Sequence, residues 1–238
     1  MKRNKHHAVC EARPGSGRVA VVVLLALAAG ALQGCAVAGI MAEATQKKTP
    51  AAYELAAVPT LIMVEDRGLR LRDPALTTFM ANAIAADLRA HQALGGAAII
   101  EQAELARVAG EFGRDFDTLG IDEVGQRAGA SQVLYVEVQR VRLERAPGLW
   151  DPEAVAGVKV IDAVGRRRVF PPGASVEGVS SGPRGRPVLA TLPVETPDTD
   201  DRAYRAATLQ RLARALASRV SELFYAHRGP QPGDRLPG

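Results

Sequence analysis

The sequence predicts an α/β fold: a single sandwich domain in which a mixed sheet is packed by helices and a long C-terminal helix closes the chain. Three observations carry this. Between residues 59 and 170, apolar runs of strand length alternate with stretches of helical spacing, the pattern of strands crossed by helices. The longest strand signal, residues 132–143 (QVLYVEVQRVRL), is followed by two more runs of the same kind. Between residues 201 and 227, Leu209, Leu212, Leu216, Val220, Leu223 and Phe224 make one apolar stripe, with Arg205, Arg211 and Arg214 largely off it.

Element by element, residues 60–65 (TLIMVE) read as a short buried strand. Asp73-Pro74 supplies an N-cap and a proline at the first helical position. Leu76, Phe79, Met80, Ala83, Ile84 and Leu88 then recur at helical spacing until Gly95-Gly96. Residues 97–100 read as a second short strand, residues 102–112 as a helix and residues 113–118 as a loop. Residues 121–128 form a short helix stopped by Gly129. In the long strand, Val136, Val138, Val141 and Leu143 break strict alternation, which predicts a bulge near Gln139-Arg140. Residues 146–152 (APGLWDP) read as a turn. Residues 155–164 and 166–170 read as two strands joined around Gly165. Residues 171–199 are rich in Pro, Gly and Ser. An edge strand over 188–194 is compatible with them, because an edge tolerates proline. Residues 229–238 hold three prolines and read as a disordered tail.

The first 34 residues read as an address. Lys2, Arg3, Lys5, Arg13 and Arg18 precede an uncharged run, residues 19–31 (VAVVVLLALAAGA). Thirteen residues reach about 20 Å as a helix, short of the ~30 Å hydrocarbon core, so the segment fits a secretory signal better than a span. Leu32, Gln33, Gly34 and Cys35 resemble a bacterial lipobox. The resemblance implies diacylglyceryl transfer to the Cys35 sulfur, cleavage after Gly34, and acylation of the new N-terminus by a chain such as palmitate. Ala36 favours the outer membrane under the enterobacterial sorting rule. Residues 35–58 then read as a tether and residues 59–228 as the domain.

Cleavage changes the composition that matters. The whole chain has 238 residues, 30 Lys+Arg, 26 Asp+Glu and a formal net charge of +4. Residues 1–34 carry five of the basic residues and one of the acidic ones, leaving 25 of each. The argument for a nucleic-acid partner goes with them. Cys10 is also removed and Cys35 is lipidated, so thiol catalysis is excluded. Only His91 and His227 then remain for a metal site built on His or Cys, and no cofactor is expected. No H-E-x-x-H, P-loop or Rossmann fingerprint occurs. The expectation is therefore a protein without catalysis, with a glycan-active enzyme built on unlinked carboxylates as the remote alternative.

The segments TLIMVED, AAIIE, QAELARVAGEF, DEVGQRAGASQVLYVEV and VAGVKVIDAVGRRRVFP, in that order, resemble the periplasmic α/β domain shared by the TolB N-terminal domain, the curli secretion lipoprotein CsgG and the penicillin-binding-protein activator LpoB. The likeness covers residues 59–170 and 201–226. The sequence also resembles a group of planctomycete lipoproteins, a likeness that implies no activity. Residues 171–199 are too short and too rich in proline for the barrel hairpins of CsgG. The resemblance implies a tethered domain of the activator type: membrane-bound through its lipid, facing the periplasm, and docking an envelope protein or a second copy of itself.

Candidate site residues follow from local wording. Glu65-Asp66-Arg67 closes the first strand, and open α/β sheets bind ligands at carboxyl strand ends. Trp150, in the expected turn, suits a protein contact if exposed and otherwise reads as a lid over the sheet edge. Arg166 and Arg168, on one face of an alternating strand with Arg167 on the other, suit an anion or a partner. Tyr135 and Glu137 share a face of the central strand, with solvent or an arginine such as Arg140 expected beside Glu137. His91 and His227 read as helix-end residues rather than catalysts.

Overall fold

A computed structural model describes residues 48–172, 185–195 and 202–229. The signal segment, Leu32 to Cys35, and the tail beyond residue 229 lie outside the described residues, and nothing of their structure enters below. Residues 48–229 fall within one compact unit, Lys48–Gly238.

Among the described residues, the α/β expectation holds: six strands form one mixed sheet packed by four helices. The strands are β1 (Thr60–Glu65), β2 (Ile99–Ile100), β3 (Gln132–Ala146), β4 (Leu149–Asp162), β5 (Arg167–Phe170) and β6 (Arg186–Thr191). The helices are α1 (Pro74–Ala90), α2 (Gln102–Phe112), α3 (Ile121–Arg127) and α4 (Arg202–Ser221). The order across the sheet is β2-β1-β3-β4, and β5 and β6 both pair with β4 on its far side. β1 is parallel to β2 and to β3, and β4 is antiparallel to its neighbours.

Each face of the sheet buries its own core. Ile62, Leu134, Val136, Val158 and Val160 point to one side, against Met80, Ile84 and Leu88 of α1 and Leu212, Leu216 and Val220 of α4. Leu61, Met63, Val133 and Tyr135 point to the other, against Val108 of α2 and Val124 of α3. The sequence follows from this: strands covered on both faces read as unbroken apolar runs, as TLIMV and QVLYV do. Gly125 is where α3 comes closest. A Cβ there would lie 2.4 Å from Val133 Cγ2 and 3.3 Å from Ala163 Cβ.

The register of β3 with β4 shifts between Val138 and Arg140, which places the predicted bulge at Gln139. β5 and β6 form one edge strand with an insertion in its middle. Phe170 pairs with Val160 and Arg186 with Val158, so the sheet resumes two residues along β4 after fifteen have been inserted. Pro187 lies in this edge, where its missing N–H costs no ladder bond.

Several boundaries move. α1 ends at Ala90 with His91 as C-cap, five residues before Gly96. Residues 113–118 form a 3₁₀ helix rather than a loop. Only Pro147 and Gly148 separate β3 from β4, so Trp150 lies in a strand. Gly148, at φ 77, makes that reversal. The tether boundary at residue 58 is also corrected. Thr49 and His227 exchange backbone hydrogen bonds of 2.7 and 3.0 Å, Leu223 O accepts from Ala52 and Tyr53, and Leu55 is buried. Residues 49–58 therefore belong to the domain.

Candidate functional site

The carboxyl ends of β1 and β3 are the place where this topology leaves a crevice. The chain leaves β1 for β2 through α1 on one face, and leaves β2 for β3 through α2 and α3 on the other. Ligand crevices in open α/β sheets open at such reversals.

Parallel register sets Glu65 beside Glu137 and Met63 beside Tyr135. On the face shared with α2 and α3, Tyr135 donates its phenolic hydrogen to Glu65 Oε2, and Arg67 Nε approaches the same oxygen at 2.7 Å. Lys159, opposite Tyr135 on β4, holds its ammonium 5.2 Å from the ring centre. Burial drives the Tyr135 phenol well above its usual range, and the Glu65 hydrogen bond and charge add to this. Burial lowers the Lys159 ammonium, against the pull of Glu137 and with the help of Arg168. The result is a charge cluster of Glu65, Glu137, Arg67 and Lys159 around one phenol that stays protonated.

The β1–α1 loop is built on Asp66. Its carboxylate accepts from Arg70 N at 2.9 Å and Leu71 N at 2.7 Å, and its side chain is 6% exposed. This holds two non-glycine residues in left-handed backbone, Leu69 at φ 48 and Arg72 at φ 57. Such conformations cost roughly 1–3 kcal/mol each and persist where the surroundings over-determine them. Leu69 is 69% exposed on this loop. Beside it, a cleft of about 1040 Å³ runs between the start of α1 and α2, lined in part by Glu65, Arg67, Leu69, Thr77 and Gln102.

The other candidates are placed differently from expectation. Trp150 is not exposed: it is fully buried, edge-on to Tyr204 at 4.9 Å, with the Arg205 guanidinium 5.1 Å from its ring centre. The tight two-residue turn pulls it into the sheet, and Glu195 bridges its backbone. Glu195 is itself clamped by Arg211 at two distances of 3.2 Å and by the Tyr204 hydroxyl. Arg211 and then Tyr204 hold the Glu195 carboxyl below its usual range.

Arg166 and Arg168 do not sit side by side on a strand. Arg166 is in the turn at φ 49 and reaches Asp122 of α3 at 3.7 Å, whereas Arg168 lies on β5 opposite Ile161. Arg140 is not the partner of Glu137. It pairs with Glu153 at 2.6 Å, and Arg142 with Asp151 at 3.2 Å and Glu153 at 3.4 Å, a cross-strand charge ladder beyond the bulge. His91 caps α1, its Nδ1 2.9 Å from Asp87 O and its ring stacked on Tyr225 at 3.8 Å. Among the described residues, no group of three or more His, Cys, Asp or Glu is placed to hold a metal ion. No helix among them is long and apolar enough to cross a membrane.

No family model matches the chain, and no curated protein matches it. Among solved structures, the chain is similar to the lipoprotein GNA1162 from Neisseria meningitidis, at 13% identity over 67% of this chain and 99% of that one, TM-score 0.38. It is also similar to PelC from Paraburkholderia phytofirmans, solved as a dodecamer, at 14% identity over 76% and 97%, TM-score 0.36. A lipoprotein from Caulobacter crescentus follows at 12% identity over 68% and 82%, TM-score 0.31. Likenesses this distant carry no functional weight, and the fold stands on its own strands and register.

Proposed function

We propose that the chain is a lipid-anchored binding domain of the bacterial cell envelope, without catalysis, that docks an envelope protein. In this reading it faces the periplasm from the outer membrane and is kin to the TolB N-terminal, CsgG and LpoB domains. The lipobox Leu32-Gln33-Gly34-Cys35 behind an uncharged run of thirteen residues carries the reading.

Leu69, 69% exposed on the β1–α1 loop at the carboxyl end of β1, offers an apolar contact for a partner.

Two measurements test this reading. Radiolabelled palmitate should enter the wild type and not Cys35→Ser, and the variant should leave the membrane fraction. Retention of Cys35→Ser in the membrane would overturn the lipid anchor. A photo-crosslinker at Leu69 in native membranes should then recover one protein in excess over abundant bystanders. A second reading, self-association through the sheet edge, is favoured by Leu189 on β6, 53% exposed on the outermost strand. Light scattering that reports a stable oligomer would select it.

A further inference from the structure

We propose that a second cleft, between the N-terminal halves of α1 and α4, receives an acidic amphipathic segment of the docked partner, so this inference rests on the docking reading above. α1 and α4 run parallel: Ser218 Oγ lies 3.3 Å from Asp87 Oδ2 near their ends, and both first turns border the same groove of about 980 Å³. Its floor is the stretch of β3 after the Gln139 bulge. Phe79, Val141, Leu143 and Leu209 present half-buried apolar surface there, continuous with the core. A row of this kind takes the apolar face of a helix.

The charge around the groove selects the sign of that helix. Five arginines, Arg70, Arg72, Arg142, Arg202 and Arg205, stand along it, with only two carboxylates, Asp73 and Glu144, and Arg142 is paired with Asp151 and Glu153. Both carboxylates are in use: Asp73 accepts from Ala75 N to cap α1, and Glu144 pairs with Arg205 at 2.6 Å. Arg70 is held at Asp66, 3.9 Å away, and by Val138 O. Arg72 and Arg202, both exposed, have no carboxylate partner among the described residues. The positive ends of two long helices point the same way and add to the preference for negative charge.

The occupant is a protein segment rather than a small molecule because an apolar row flanked by Arg72 and Arg202, which have no carboxylate partner among the described residues, matches the two faces of an amphipathic helix. Arg72 and Leu69 also belong to one pinned loop that separates this groove from the cleft beside α2, and Asp73 borders both. A partner chain can cover the groove and Leu69 together.

The test uses the full-length protein in nanodiscs of zwitterionic phosphatidylcholine. The probe is a fluorescein-labelled peptide of about four helical turns, with Leu at i, i+3, i+4 and i+7 and Glu on the flanking positions. Controls carry Lys in place of Glu. The Glu peptide should bind about tenfold or more tighter than the Lys peptide. Arg72→Glu with Arg202→Glu should remove that preference, since both residues are exposed and their charge rather than their packing is altered. Ala206→Trp, at an exposed position bordering the groove, should block binding without a charge change.

Equal binding of the two peptides, or indifference to both variants, would overturn the proposal. So would reversal-sensitive binding to phosphatidylglycerol vesicles with none to the Glu peptide, because the occupant would then be a membrane. Higher affinity after Asp200→Asn and Asp201→Asn with no response to Arg72→Glu would show that the cations serve this chain itself. If a Leu69 crosslink to one partner persists in Ala206→Trp, docking stands and the groove assignment falls. If no specific partner is captured by the wild type, the docking reading itself fails.

Discussion

Tyr135 and Glu65 are seventy residues apart in the chain, and the phenol of one donates to the carboxylate of the other across the β1–β3 pair. Arg67 binds the same carboxylate oxygen from the opposite side. The bond ties the central strand to the loop that exposes Leu69. Tyr135→Phe should therefore lower stability by about 1.5 kcal/mol. That is the low end for a hydrogen bond to a charged group, because Glu65 keeps Arg67 and a side chain 20% exposed. Urea denaturation at neutral pH checks it, and no change in the midpoint would remove the cluster from the stability account.

Of three phenols raised by folding, Tyr204 among them, two carry the larger shifts and dominate the alkaline behaviour. Burial, with the charges of Asp87 and Glu222, pushes Tyr225 up to about 12, and burial with the Glu65 hydrogen bond raises Tyr135 further. In the unfolded chain both ionise near 10. Above that pH the unfolded state loses protons that the folded state keeps, so unfolding is favoured. Stability should hold up to about pH 10 and fall as pH rises toward the folded values. Tyr225→Phe should make that fall shallower between pH 10 and about 12. Thermal melts across this range read it out.

Gly125→Ala tests the contact of α3 with the sheet. Its backbone does not need glycine, but the added Cβ meets Val133 and Ala163, both fully buried. Overpacking of this kind costs about 1–3 kcal/mol. The double variant Gly125→Ala/Val133→Ala should recover less than the single changes lose, since it swaps a clash for a new cavity. A cooperative melt with a lowered midpoint is the expected reading for both.

Trp150 is the single tryptophan of the chain, and its burial makes fluorescence a direct probe. Its emission should resist acrylamide in the folded protein and become quenchable on unfolding. Strong quenching in the native state would restore the exposed indole. Trp150→Ala should destabilise by roughly 3–5 kcal/mol, as expected for a buried indole.

The local elements were legible in the sequence because their causes are local. Asp73-Pro74 caps α1 whatever lies around it, and Gly148 closes a turn within its own dipeptide. The broken alternation of Val138 and Val141 marked the bulge, because a strand that must keep one face buried shows an extra residue as a phase slip. The edge strand expected over 188–194 is β6, Arg186–Thr191, so Pro193 falls outside it and Pro187 inside, and the bounds shift while an edge still tolerates proline. The candidate site was half legible. Glu65, Asp66, Arg67, Tyr135 and Glu137 stood out as polar groups in apolar runs, but their mutual arrangement did not.

The groove between α1 and α4 left no mark in the sequence, since its walls come from residues 70–79, 141–144 and 202–210. The sequence by itself determined the order of strands and helices and the N-cap of α1, because each follows from backbone preferences and periodicity within a few residues. Tertiary structure alone decided that Trp150 is covered, that Arg140 answers Glu153 rather than Glu137, and that Arg166 turns away from Arg168. Those outcomes depend on strand register and on which helix lies across which strand, and charge pairing acts only once the folded chain has brought its partners within a few ångströms.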